Sequence, residues 1–154
     1  MKFSSYTDPD QQVTEIVAPA RLRPVLREFS DDELDSLDSF VAELRFATGS
    51  RIITAGERSD TLLIIVSGSI RITAGISVQT EREVDVLVEG EVFGISSFLD
   101  GEASAITATA LQSTELLALR RDSFAQLAAW KPALAIALLQ DLAAYTSRRL
   151  RQLQ

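Results

Sequence analysis

The spacing of hydrophobic residues changes period along the chain, and each change marks a boundary. Residues 1–12 are polar. Val13 to Ala18 has the spacing of one helical turn, and Pro19 and Pro24 then punctuate a stretch whose Leu22, Val25 and Leu26 offer an apolar face. Residues 9–29 therefore read as one or two short helices. A firmer helix begins at Ser30. Ser30 and Glu33 have the spacing of a capping box, Asp31 and Asp32 suit the positive end of the helix dipole, and Phe29 with Leu34 forms a hydrophobic staple. Leu34, Leu37, Phe40, Val41 and Leu44 continue at helical spacing, which predicts one helix running as far as Leu44.

From Phe46 to Arg120 the period shortens to that of strands. All 7 glycines (49, 56, 68, 75, 90, 94, 101) lie in this stretch and all 4 prolines lie outside it. The runs between the glycines predict strands at Arg51–Thr54, Thr61–Ser67, Ser69–Thr73, Val84–Val88, Ile106–Ala110 and Thr114–Leu119. Ser67-Gly68-Ser69 reads as a tight hairpin turn, and Ala74–Glu83 as a looser connection. Many short strands with no long helix between them indicate an antiparallel jelly-roll or β-roll.

Helical spacing returns after Arg120. Phe124, Leu127 and Trp130 share a face, with Asp122 as the expected cap. Pro132 suits the first position of a second helix, which runs through residues rich in Ala, Leu and Gln to about residue 152. Leu138, Leu142 and Tyr145 form one stripe along it, and Ile136, Leu139 and Ala143 form another beside it. A double stripe can serve the parent domain and a partner together, so Leu138, Leu142 and Tyr145 are the candidate dimer contacts. Arg148, Arg149 and Arg151 cluster at the helix end, either as a solvated complement to the dipole or against an acidic partner or nucleic acid.

Composition narrows the function. At 154 residues the chain suits one domain. With Cys and His both absent, disulfides, Cys/His metal sites and Cys- or His-based nucleophiles are excluded. Only Lys2 and Lys131 remain for lysine chemistry, and neither is near the glycine-rich centre. No acid/base pair can be assembled from motif spacing. The expectation is a protein with no catalytic residues, no metal and no cofactor. A net charge of −7 argues against general nucleic-acid binding. No stretch approaches the roughly 20 apolar residues of a membrane span, and the first residues lack a signal core. A cytoplasmic location is expected.

Chemistry concentrates in Gly90–Ala110, GEVFGISSFLDGEASAITATA. A strand, a glycine hinge at Gly94 and the start of a helix bring backbone N–H groups around one point, as anion sites do. The stretch resembles the phosphate-binding cassette of cyclic nucleotide-binding domains, in which a strand leads through Phe-Gly-Glu and a short helix to Arg-Ser/Ala-Ala-Thr. Phe93, Gly94, Gly101, Glu102, Thr107 and Ala110 match that pattern. Ile95 stands where the family's glutamate holds the ribose 2′-hydroxyl, and Ser104 stands where its arginine holds the cyclic phosphate. The resemblance extends through the Ser30 helix, Phe46-x-x-Gly49, Ile52–Gly56, Asp60-x-Leu62-x-Ile64-x-Val66-x-Gly68 and the two last helices. It implies a β-roll at about 46–120 and helices at about 122–152, within a domain of 29–154 that follows an extension of 1–28.

The resemblance sets Gly94, Ile95, Ser96, Ser104, Ala105 and Thr107 as the candidate pocket, with cAMP or cGMP as the ligands the family implies. Removing one partner of a buried charged pair costs about 2–5 kcal/mol. At about 1.4 kcal/mol per decade, Ser104 alone would weaken binding by about 30- to several-thousand-fold. The expectation is therefore a regulatory or interaction module that has lost standard nucleotide binding and works as a homodimer, or with another protein, through its last helix. The alternative is a sensor of a cyclic nucleotide or another small ligand whose charged anchor comes from elsewhere, such as Arg71, Arg82 or a partner chain. Catabolite-activator-type factors carry a DNA-reading domain after this helix, and none is expected within these residues. A free-standing adaptor and a domain of something larger both fit.

Overall fold

The computed structural model describes residues 29–75 and 80–152, and the short helices expected at residues 9–29 lie almost wholly outside them. Helix α1 (Asp31–Asp38) starts as its sequence dictates. The Ser30 N–H donates to Glu33 Oε1 at 2.9 Å and the Glu33 N–H donates to Ser30 Oγ at 3.2 Å. The Ser30 N–H, and after it the Ser30 hydroxyl, hold the Glu33 carboxyl below its ordinary value. Phe29 and Leu34 on either side of the cap are both buried.

The helix does not reach Leu44. It ends at Asp38, where Phe40 N–H closes on Leu37 O at 2.9 Å and Ser39 Oγ donates to Ser36 O at 2.8 Å. Ala42–Phe46 becomes strand β1, paired antiparallel with the end of the roll from Ala42↔Ala118 to Phe46↔Thr114. Over so few residues the helical spacing of Phe40 and Leu44 coincides with the alternation of Ala42, Leu44 and Phe46. An open sheet edge decides between them.

Seven further strands follow: β2 (Arg51–Ile53), β3 (Thr61–Ser67), β4 (Ser69–Ala74), β5 (Arg82–Val88), β6 (Val92–Phe93), β7 (Ile106–Ala110) and β8 (Thr114–Arg120). They form two antiparallel sheets of 4 strands, in the orders β1-β8-β3-β6 and β2-β7-β4-β5. The inner faces enclose a core that includes Leu63, Ile65, Ile70, Ile72, Phe93 and Leu116. Between β6 and β7 lies helix α2 (Ile95–Asp100), and after β8 come α3 (Arg121–Trp130) and α4 (Pro132–Gln152). The architecture is the expected antiparallel β-roll with flanking helices.

The continuous apolar run of β3 follows from its place. Leu62 and Ile64 enter a second core under the helices, while Leu63 and Ile65 enter the roll. Strand β8 divides in the same way, with Leu117 and Leu119 toward the helices and Leu116 and Ala118 toward the roll. Each fully buried side chain of this size contributes about 1.5–3 kcal/mol, so the sheet between the two cores is the spine of the domain.

Ser67-Gly68-Ser69 is a tight turn but not a hairpin, because β3 and β4 belong to different sheets. The chain turns a corner of the roll there. Gly68 has φ of 103°, and a Cβ at that position would lie 2.8 Å from Ser113 O and against Thr114 Oγ1. Asp122 does not cap α3. The chain passes straight from β8 into the helix, Arg120 occupies the cap position, and Asp122 lies in the first turn, where it accepts the Ser123 N–H at 2.8 Å. Pro132 opens α4 as expected. Lys131, at the joint of α3 and α4, donates to Ser36 Oγ at 2.8 Å and sits 4.6 Å from the Trp130 ring centre, which ties the joint to α1.

Candidate functional site

Strand β6 delivers the chain to Gly94, whose φ of 78° and ψ of 13° belong to the left-handed region. A Cβ there would lie 2.7 Å from the Thr61 carbonyl oxygen, so both conformation and space demand glycine. Helix α2 follows and ends on Gly101, also left-handed at φ 73°, whose N–H donates to Ser97 O at 2.8 Å. Phe98 fastens the helix from below. It is buried and meets Phe124 of α3 edge-on, with ring centres 5.5 Å apart. Arg121 Nη2 donates to Leu99 O at 3.0 Å, which supplies a cationic partner to the carbonyl end of the helix.

The six candidate pocket residues occupy different environments. Gly94 makes the hinge, and Ile95 packs against the core under the helices, so its side chain is committed to hydrocarbon. Ser96 and Ala105 are exposed. Ser104 is buried and its hydrogen bonds close on its own turn: Oγ donates to Ile106 O at 2.8 Å and accepts the Ile106 N–H at 3.1 Å. Its backbone is paired as well, to Gly56 N–H at 2.8 Å and Glu57 O at 2.9 Å. Thr107 is buried, and its Oγ1 accepts the Ala55 N–H at 3.0 Å.

Two residues that the sequence pattern did not single out belong to this neighbourhood. Thr73 lies opposite Thr107 in the β4–β7 register and is likewise buried. Its hydroxyl bonds the Glu81 carboxylate and lies 3.5 Å from Thr107 O. A carboxylate therefore sits close to the cassette's threonine. The alternation of β4 gave no signal for Thr73, since it places Thr73 on the outward side with Arg71; its burial goes with a register shift between Ile72 and Thr73 in the β4–β5 pairing. Glu81 lies in a connection and likewise gave none.

Of the two arginines offered as an anchor, Arg71 is turned away from the roll. Ile70 and Ile72 point into the roll, so Arg71 between them points outward, where its Nε pairs with Glu83 Oε1 at 3.2 Å. Arg82 is exposed at the start of β5. Among the described residues no group of His, Cys, Asp or Glu could hold a metal ion, and no helix is long and apolar enough to cross a membrane.

The dimer contacts expected on the last helix are placed elsewhere than expected. Leu138 and Leu142 are 1% and 2% exposed, buried in the core between α4 and the roll. Tyr145 is half-buried, and its Oη accepts the Val92 N–H at 3.3 Å; burial is the main cause that raises its pKa. The chain's own sheet covers this stripe. The neighbouring stripe faces outward, with Ile136 at 56%, Leu139 at 37% and Leu150 at 58% exposure.

Comparison with known proteins agrees with this geometry. The sequence model of the cyclic nucleotide-binding domain matches residues 43–129. The cyclic AMP receptor protein of Thermus thermophilus is 34% identical over 130 residues, covering 84% of this chain and 58% of that protein. The cGMP-dependent protein kinase egl-4 of Caenorhabditis elegans is 30% identical over 105 residues, covering 67% of this chain and 14% of the kinase. The chain thus spans less than two thirds of the curated relatives it matches. Among solved structures, a cyclic nucleotide-binding domain from Methylobacillus flagellatus superposes with a TM-score of 0.81 at 25% identity, over 86% of this chain and 77% of that one. The catabolite activator protein of Thermus thermophilus gives 0.73 at 31% identity, over 84% and 59%. With a matched region that spans more than half its length and holds the cassette described above, the chain belongs to the cyclic nucleotide-binding domain family.

Proposed function

We propose that this chain is a non-enzymatic, cytoplasmic regulatory or interaction module whose cassette no longer holds cAMP or cGMP in the family's manner. The observation that carries this reading is Ser104. It stands at the phosphate-holding position, it is buried, and its hydroxyl both donates to and accepts from Ile106. A cyclic phosphate arriving there would find a hydroxyl in place of the family's arginine and would have to break an existing turn. Ile95 adds hydrocarbon at the ribose position, and the Glu81 carboxylate next to Thr107 opposes an anion. Helix α2 has only 6 residues, so its dipole offers little in exchange.

The output of the module runs through α4. Ile136, Leu139, Ala143 and Leu150 fall at coiled-coil spacing on the face turned away from the roll. A second copy, presenting the same stripe, is the occupant we assign to it. The second reading, a nucleotide sensor with unusual contacts, draws on the intact frame of Gly94, Gly101 and Thr107 and on the similarity to a cyclic AMP receptor and a cGMP-dependent kinase.

Isothermal titration with cAMP and cGMP separates the two. The first reading expects no binding heat from the wild type at about 100 μM protein, which exceeds ordinary micromolar dissociation constants. It expects the double variant Ile95→Glu, Ser104→Arg to gain affinity. Micromolar binding by the wild type would establish the sensor instead.

A further inference from the structure

The two sheets of the roll have open edges that meet at one seam. Strand β5 ends one sheet and β6 ends the other, joined by the turn at Glu89 and Gly90. Edge strands present unpaired N–H and C=O groups, a template for unwanted strand pairing. The hazard here is concrete, because Val84, Val86 and Val88 are all exposed on β5.

Three backbone donors at this seam have side-chain partners. Val86 N–H donates to Asp85 Oδ1 at 2.8 Å and Val88 N–H to Glu91 Oε1 at 3.3 Å. Val92 N–H, on the other edge, donates to Tyr145 Oη at 3.3 Å. One side chain then holds both carboxylates. Arg149 Nη1 lies 3.2 Å from Glu91 Oε2, and its Nη2 pairs with Asp85 Oδ2. Tyr145 and Arg149 are four residues apart on α4, so they project from the same face.

We propose that Tyr145 and Arg149 make the end of α4 a clasp that closes the seam between the two sheets, held chiefly by the two ion pairs of Arg149. Part of the arginine cluster at the helix end thereby gains a purpose, with an acidic partner inside the chain. The clasp is independent of whether the cassette binds a nucleotide, since none of its side chains belongs to the candidate pocket. Its strength depends on ionic strength, because Arg149 and Asp85 are each about a third exposed and water and salt reach them.

Amide hydrogen exchange on the full chain tests the clasp. Arg149→Ala should speed exchange of the Val86, Val88 and Val92 amides about tenfold while leaving the amides of β8 unchanged. Tyr145→Phe should speed Val92 alone, and Arg151→Ala should change none of the three. In wild type, about 1 M salt, where the screening length is roughly 3 Å, should speed the seam amides toward the rates of Arg149→Ala. The same salt should add little in the variant. Should Arg149→Ala fold poorly, the wild-type salt series decides the matter through the ratio of seam to β8 exchange. Seam rates in Arg149→Ala within twofold of wild type, or a seam that responds to salt no more than β8 does, would overturn the proposal.

Discussion

At the scale of single residues, Gly94 sets the frame of the cassette and Ser104 carries the proposed change in its chemistry. Gly94→Ala puts a Cβ 2.7 Å from the Thr61 carbonyl and forces a left-handed backbone on an L-residue. The backbone term alone is about 1–2 kcal/mol, and the clash adds to it. Chemical denaturation should show a loss of at least that size with an unchanged m-value. A loss under about 0.5 kcal/mol, the usual range for harmless surface changes, would contradict the close approach.

The cap of α1 yields a second test at this scale. Glu33 is held below its ordinary carboxyl value by the Ser30 N–H and hydroxyl. A depressed carboxyl stabilises the fold above its unfolded pKa, and that contribution is lost as pH falls through the folded value. The capping box should thus be intact at neutral pH and weaken only below the ordinary glutamate range. Ser30→Ala should cost about 1 kcal/mol at neutral pH and return the Glu33 titration, followed by carboxyl-carbon NMR, toward 4.5. The titration should move only part of the way, because the N–H of residue 30 remains in the variant; an unchanged stability would refute the bond from the Glu33 N–H to Ser30 Oγ.

At the scale of elements, α4 is two-sided, and its sides predict opposite behaviour. Leu142 is buried against the roll, so Leu142→Ala should destabilise the monomer by about 2–5 kcal/mol. Ile136→Glu lies on the outward stripe and should leave monomer stability nearly unchanged while it halves the mass seen by light scattering. A wild-type monomer at about 100 μM, or an Ile136→Glu variant that keeps the dimer mass, would rule out this face as the contact. The double stripe was legible in the sequence. Which stripe faced inward was not, because both are apolar and only the position of β3, β6 and β8 beneath the helix distinguishes them. The Ser30 cap, the strands from Thr61 onward and Pro132 at the head of α4 were legible because each rests on a local rule. The turn at Asp38, the crossing at Gly68 and the start of α3 were not, since each is decided by pairing with residues distant in sequence.

For the whole molecule, the roll is a frame of two sheets that holds a cassette with a left-handed glycine at each end of its short helix. The shape was readable from spaced glycines, as only glycine serves at Gly94. The two residues that differ from the family pattern, Ile95 and Ser104, were readable as well. That the Ser104 hydroxyl bonds within its own turn, and that Glu81 reaches Thr73 beside Thr107, required the folded chain. The central claim is that this roll gains no stability from the nucleotides its family implies. A ligand at 100 times its dissociation constant adds about 2.7 kcal/mol, which raises the melting temperature of a domain this size by several degrees. The most direct measurement is the melting temperature of the wild type with and without about 1 mM cAMP or cGMP. A shift no larger than about one degree is the predicted result, while a rise of several degrees, equivalent to a dissociation constant near 10 μM, would contradict it.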